Sequence, residues 1–497
     1  MRRITRREAV LGAVAGAGAL ALPGCGAGAP TPTGSTLRST WVDKNGDGQL
    51  EIGPGERLID RVELGPAAPP TGVLATIAHV TDAHVLDASS PARVTFLDRL
   101  GPPFQSTFRP HEALTTQVLA GAVAAVRRLR PQLVLQGGDL IDNDQSNELT
   151  QALAVLAGRR VRPGSGAHGY YGVQLAFNPD PFYYRPDVDA PQHPGLLGAA
   201  VRPFRSPSPG APTFPVLGDH DILVAGEIVP TPLTRALATG TRALWDLPPD
   251  LAVPRGAQPP PGASPDGPLN AAPIDSFLRQ ALAGPTRRVP PDPARREMPA
   301  GEVVDRLAQA APADARGGRL DYVLDAGPRV RVILLDLARR AGGSGGLVVP
   351  GQAVWLEREL AAAGERWVIV ASHQPLGSST GGDSLLGLLD AHPRVIAALS
   401  GHTHRNRIEP RPTSAGGYWL ISTASLIDHP QQARALRVVA TADGGVAIQT
   451  WMLDHTFPGP LGTISRELSY LDAQGGRPHG FAGARLDRNV TLYRQSA

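Results

Sequence analysis

Five times along this chain an apolar run stops at a cluster of aspartates and histidines. "IAHV" is followed by Asp82 and His84 in "TDAH". "LVLQG" is followed by Asp139, Asp142 and Asn143 in "GDLIDN". "FPVL" is followed by "GDHD", with Asp219, His220 and Asp221. "WVIVA" is followed by His373 in "SHQP", and "IAALS" by His402 and His404 in "GHTH". Short apolar runs rich in Val, Ile and Leu read as buried strands. In α/β sheets, ligands bind at the carboxyl ends of the strands. The pattern therefore predicts five strand ends converging on one crevice. Side chains alternate along a strand, so Asp82 and His84, two apart, are expected to point the same way, as are His402 and His404 if their loop stays extended.

Between these runs the period changes. "LTTQVLAGAVAAVRRL" and "NELTQALAVLAGRR" carry apolar residues at helical spacing, and "PGQAVWLERELAAAG" reads as a helix opened by Pro350. "RVRVILLDL" and "GGYWLISTAS" read as further strands. Strands alternating with helices predict an α/β fold. A chain of 497 residues can bury a large core. The division expected is a leader over 1–25, a tether and Asp/Gly turn over 26–60, one domain over 61–456, and a C-terminal extension over 457–497 packed on that domain. Insertions are expected at 160–212 and 250–300; Pro254 to Pro268 is Pro/Gly-rich and of low complexity.

So many carboxylates in one apolar pocket are untenable without cations. Histidine and aspartate suit borderline and hard divalent metals, and their number suits two ions sharing one carboxylate. No thiolate competes, because Cys25 is the only cysteine. It closes "LPGC", which follows an apolar segment and the twin arginines Arg6 and Arg7, so the leader reads as an exported lipoprotein signal with Cys25 as the lipid attachment point. The expected location is the cell envelope, anchored by lipid to the outer face of the cytoplasmic membrane, with a soluble secreted or periplasmic form as the alternative. The whole chain has a net charge of +3, and the leader's four arginines and one glutamate account for it. The remainder is neutral, so no nucleic-acid-binding surface is evident. Lys44 is the only lysine and sits in a Gly/Asp turn, which argues against phosphate-loop and Schiff-base chemistry. That turn, "DKNGDGQLE", with Asp43, Asn45 and Asp47, resembles the start of a calcium loop. Its twelfth position is Pro54, so a solvated Asx turn is favoured over a calcium site.

Taken in order, DxH, GDxxD, a GNH[DE]-like segment, a lone His and GHxH resemble the signature of the calcineurin-like metallophosphoesterases. The flanking segments "SPARVTFLDR", "FRPHEALT", "TASLIDHPQQ" and "DRNVTLY" are similar to those of a secreted bacterial branch. The resemblance implies a four-layer α/β/β/α sandwich of two mixed sheets. It implies that Asp82, His84, Asp139 and His404 hold one metal (Mn, Fe or Zn) and that Asp139 bridges to a second on Asp219, His373 and His402. It implies that a bridging hydroxide attacks phosphorus, that His220 is the acid, and that Asp221 orients the His220 ring. The implied partner is a phosphoester: a small molecule, lipid or nucleotide. The chain departs from the family at Asp219, where Asn is usual. The expectation is a tightly held second metal, a weaker phosphate contact, and faster turnover in Asp219→Asn. Asn143 is the candidate source of the missing amide. Arg93 and Arg109 are expected either to bind substrate phosphate or to lie solvated on the surface. Asp142 is open to a role in the crevice or as a cap for the next helix, and Asp336 to a role in the crevice or in a strand-end turn. The aromatic stretch Tyr170 to Asp187 is a lid or packing. Two other functions stay in view: a nucleotide pyrophosphatase or phosphodiesterase of the same fold, and a catalytically weak metal-containing envelope binding protein.

Overall fold

The computed structural model describes residues 34–100, 107–245, 276, 278–311, 318–475 and 480–495. The leader with Cys25, and Pro254 to Pro268, lie outside them. Among the described residues no helix is long and apolar enough to cross a membrane.

Thirteen strands make up the two main sheets: β1 (Ile59–Leu64), β2 (Pro70–Val80), β3 (Leu133–Gln136), β4 (Thr213–Pro215), β5 (Tyr322–Asp325), β6 (Val330–Leu335), β7 (Trp367–Ser372), β8 (Val395–Ser400), β9 (Arg407–Arg411), β10 (Tyr418–Ser422), β11 (Gln432–Thr441), β12 (Val446–Asp454) and β13 (Val490–Arg494). The first sheet has the order β1-β13-β12-β11-β2-β3-β4, and the second β5-β6-β7-β8-β10-β9. Both are mixed. Strands β2, β3 and β4 run parallel, as do β6, β7, β8 and β10.

Alternation assigns the faces. On β6, Val332 and Leu334 join a core that also holds Ile77, Leu135 and Leu436 of the first sheet. Their neighbours Ile333 and Leu335 instead join Leu356, Leu360, Leu385 and Leu389. Those four leucines lie on the helices Gln352–Ala361 and Gly382–Ala391, which cover the outer face of the second sheet. The helix Thr115–Leu129 contributes Val118, Leu119 and Val123 to the core of the first sheet. The result is the expected α/β sandwich of two mixed sheets.

Several boundaries differ from expectation. The tether does not run to residue 60: Ser39–Val42 and Glu51–Pro54 form an antiparallel hairpin, and the Thr36 hydroxyl donates to the Met452 carbonyl at 2.8 Å. The C-terminal segment, expected as an extension packed on the domain, also contributes a strand to it. Its strand β13 lies between β12 and β1 inside the first sheet. The helix expected from Pro350 begins at Gln352, after Gly351. Part of the aromatic stretch packs: Tyr183 is fully buried against Phe108, with ring centroids 5.1 Å apart, while Phe177 is exposed. The Asp43 turn is an Asx turn whose carboxylate accepts the N–H groups of Gly46, Asp47 and Gly48, together with the Tyr470 hydroxyl. The turn thus has the form favoured over a calcium site, with the Asp43 oxygens bonded to N–H groups of the loop itself.

Candidate metal centre

The crevice forms where the carboxyl ends of β2, β3 and β4, adjacent and parallel in one sheet, meet those of β7 and β8 in the other. The loops after β2 and β3 run side by side: Asp82 N–H donates to Gly138 O at 3.1 Å, His84 N–H to Asp139 O at 3.0 Å, and Val85 N–H to Leu140 O at 3.0 Å.

Strand alternation is not what aims the side chains. Asp82, His84, Asp139, His402 and His404 all lie beyond the strands with φ between +41° and +64°. This left-handed region costs a non-glycine residue roughly 1–2 kcal/mol. Such strain persists only where the surroundings over-determine it. Each turn swings a polar side chain back over the strand ends. Gly138, at φ +94°, lets the backbone pass beneath His373, because a Cβ there would collide with the imidazole.

Seven expected ligands come together in two groups sharing Asp139. Asp82, His84, Asp139 and His404 form one; Asp139, Asp219, His373 and His402 form the other. In the first, His404 Nε2 is 3.3 Å from Asp82 Oδ1 and 3.2 Å from His84 Nε2. In the second, Asp219 Oδ1 is 3.3 Å from both His373 Nε2 and His402 Nδ1, and Asp139 Oδ2 is 3.0 Å from His373 Nε2. Ligands about 2.0–2.2 Å from one ion sit roughly 3.0–3.5 Å from one another, so the spacings match a shared cation.

Two further observations test the fit. His84 Nδ1 faces Asp142 Oδ1 at 3.1 Å and His404 Nδ1 faces Asp428 Oδ2 at 2.5 Å, so each ring carries its proton on Nδ1. Their Nε2 atoms then face each other at 3.2 Å, where one cation could take both as ligands. His373 donates Nδ1–H to the Gly137 carbonyl at 2.8 Å, and its fully buried Nε2 has no hydrogen-bond partner. The donors present fit two metal ions.

The electrostatics agree. Burial opposes charge on the imidazoles, yet His373 is held well above its ordinary pKa by Asp139, Asp219 and Asp82. His404 is likewise pushed up to about 10 by Asp82 and Asp428. Burial resists ionisation of Asp219, but His402 and His373 hold it well below the usual carboxylate range. The carboxylates demand positive charge in this space, and protons on histidine supply it where a metal does not.

The remaining expected residues divide. His220 flanks the first group: its ring centroid is 4.4 Å from that of His84, and Nδ1–H donates to the Asp142 carbonyl at 2.8 Å. Gly226, at φ +73°, packs so closely that a Cβ would strike His220 Cδ2 and Nε2. Asp221 does not orient His220. Its carboxylate accepts the N–H groups of Leu140 (2.9 Å), Ile141 (3.2 Å) and Gly218 (2.9 Å), and so ties the β3 loop to the β4 loop. Asn143 is not the replacement amide: Oδ1 accepts the Ala225 N–H at 2.8 Å, and Nδ2 leans 3.5 Å toward Asp142 Oδ2. Arg93 and Arg109 are neither surface residues nor phosphate ligands. Both are buried: Arg93 bonds Asp142, Glu112 and the Thr107 carbonyl, and Arg109 bonds Asp428. Asp142 does not cap the helix Ser146–Leu156, whose N-cap is Gln145; it belongs to the crevice wall. Asp336 serves a strand-end turn, accepting Leu320 N–H and Ala338 N–H and pairing with Arg340.

Two residues escaped the motif reading. Asp428 ends "SLID", six residues beyond β10, so the rule of a strand followed by an acid applied there too. Gln374, beside His373, donates Nε2–H to Asp219 Oδ1 at 3.0 Å. It places an amide next to Asp219, and nothing in the spacing of "SHQP" announced it.

No protein-family profile matches the chain, and no curated protein matches it. Among solved structures, the chain is similar to a dimetal phosphatase from Danio rerio, with 13% identity and a TM-score of 0.38, over 77% of this chain and 100% of that one. It is also similar to the sulfate thiohydrolase SoxB from Thermus thermophilus in complex with glycerol, with 14% identity and a TM-score of 0.29, over 82% of this chain and 61% of that one.

Proposed function

We propose that this protein is a two-metal hydrolase of phosphoester bonds. The observation that carries the proposal is the pair of ligand groups sharing Asp139, with the Nε2 atoms of His84 and His404 3.2 Å apart. Asp82, His84 and His404 would hold one ion, Asp219, His373 and His402 the other, and Asp139 both. Bound there, the ions supply Lewis acidity toward a phosphoryl oxygen and acidify water.

The chain's own residues do the rest. His220 stands at the rim with Nδ1–H fixed on the Asp142 carbonyl, which leaves Nε2 to give a proton to a departing alkoxide. Burial opposes protonation of His220, while the neighbouring Asp139, Asp219 and Asp142 favour it and raise its pKa above the ordinary value in the metal-free site. Gly226 leaves the ring the room it needs, since a Cβ there would strike it. Asp221 holds the β3 and β4 loops together, so that Asp139 and His220 keep their spacing; His220 N–H also donates to Asp139 Oδ1 at 2.9 Å.

The test is hydrolysis of a panel of nitrophenyl and alkyl phosphate mono- and diesters by protein loaded with manganese, iron or zinc. The proposal expects turnover with at least one ester that disappears with chelator and returns with metal. Metal-loaded protein inactive on every ester would contradict it.

A further inference from the structure

Both histidines of the first ligand group are held from behind in the same way. His84 Nδ1–H donates to Asp142 Oδ1 at 3.1 Å, and Asp142 Oδ2 accepts a bond from the Arg93 guanidinium. His404 Nδ1–H donates to Asp428 Oδ2 at 2.5 Å, and Asp428 Oδ1 accepts Arg109 Nε–H at 2.5 Å. All four supporting residues are more than nine-tenths buried. Among the described residues the second ligand group shows no such aspartate–arginine support: His373 rests on a backbone carbonyl, and His402 meets the ligand Asp219 through its ring Nδ1 at 3.3 Å and Asp82 Oδ1 through its backbone N–H at 3.0 Å.

We propose that Arg93–Asp142 and Arg109–Asp428 are a matched pair of positioning dyads that lock His84 and His404 with Nε2 presented to one metal ion. A buried aspartate stays ionised only beside a fixed cation, and arginine is the cation that stays charged there. The ionised aspartate then accepts the Nδ1 proton, which fixes the tautomer and the ring angle and makes Nε2 the ligand. Neutral partners would leave both rings free to turn. The two arginines lie sixteen positions apart in the sequence, and both reach the ligands from the side opposite the metal. This explains why two arginines near the motifs are buried rather than turned toward substrate.

The inference rests on the two-metal reading, and its test separates the two. The full chain is loaded with zinc or manganese and dialysed against graded chelator, and metal per chain is measured by elemental analysis. Removing a partner of this kind typically costs 10–100-fold in metal affinity. Asp428→Asn is therefore expected to release its ion at about 10–100-fold lower chelator activity than the unaltered chain. Arg109→Lys keeps the charge but loses the planar fork, and is expected to fall between the two. Thermal melting of the metal-free proteins checks folding; the loss must appear in variants whose metal-free melting matches the parent. If Asp428→Asn melts early, Arg109→Lys and Asp142→Asn carry the test. Release curves that superimpose on the parent's would overturn the dyads while leaving the two-metal reading intact. A parent chain that takes up no metal would overturn both.

Discussion

The first sheet has two halves made of similar residues with different endings. Ile77 and Leu135 on the parallel strands β2 and β3 are as buried as Leu436 and Ile448 on the antiparallel pair β11 and β12. The antiparallel pair turns through an ordinary loop: Asp443 accepts the Gly445 N–H at 3.1 Å, and the positive φ falls on Gly444. The parallel half ends with positive φ on Asp82, His84 and Asp139, and with their side chains buried. Local rules hold at the β11–β12 turn and break at the ends of β2 and β3, and such breaks concentrate where function needs them. The apolar scaffold is common to both halves, while the first sheet's share of the metal ligands lies beyond the strand ends of one.

Four substitutions can break or sharpen that contrast. The largest effect is expected at Asp139, shared by both ligand groups. Asp139→Asn should lower metal content at both positions and reduce turnover by more than the ~10⁴-fold that bounds the loss of a general acid. Retention of two ions by this variant would refute the sharing. Next is His220→Gln, expected to cost about 10²–10⁴-fold in kcat on alkyl esters and far less on nitrophenyl esters, whose leaving groups need no proton. Equal losses on both series would remove His220 from the acid role. In the other half, Leu436→Ala should cost about 2–5 kcal/mol in denaturant unfolding with kcat unchanged for the folded fraction. A matching fall in kcat would mean that the two halves are not separable.

The smallest effect concerns a carboxyl group away from the strand ends. Burial pushes Glu297 up to about 7 from its ordinary 4.5, while its Oε2 accepts the Thr234 hydroxyl at 2.8 Å. The folded chain thus holds a proton that the unfolded chain releases near pH 4.5. The sign follows from linkage: this contribution is complete below about pH 4.5 and is lost as pH rises through 7. The melting temperature should drop across pH 5–8, and Glu297→Gln should flatten the slope by a few degrees. An unchanged slope in the variant would contradict the assignment.

The strands that carry the ligands were legible because each apolar run ends at a polar cluster. The seven ligands lie in those clusters, but it was the resemblance of the motifs, not the strand-end pattern, that singled them out from Asp142, Asn143, His220 and Asp221. What aims them was not legible, since left-handed turns leave no mark in spacing and the reading assumed extended strands. Strand β11 was hidden by Arg434, which is fully buried and donates to Thr423, Thr450 and Asn406; that cation breaks the apolar alternation. The partners of Arg93, Arg109 and Asp221 depend on contacts between residues far apart in the chain. Composition alone made the arginines equally plausible as surface or substrate groups. Asp428 was within reach of the same rule that found the clusters, had β10 been treated as a sixth strand end.

The central claim is that two cations reconcile these carboxylates and imidazoles. The most direct measurement is anomalous diffraction from crystals of the purified, metal-loaded protein. The account predicts two peaks, one on each side of the Asp139 carboxylate, the first also touching His84 and His404 and the second His373 and His402. A map with no peak beside Asp139, with the histidines still in place, would contradict it.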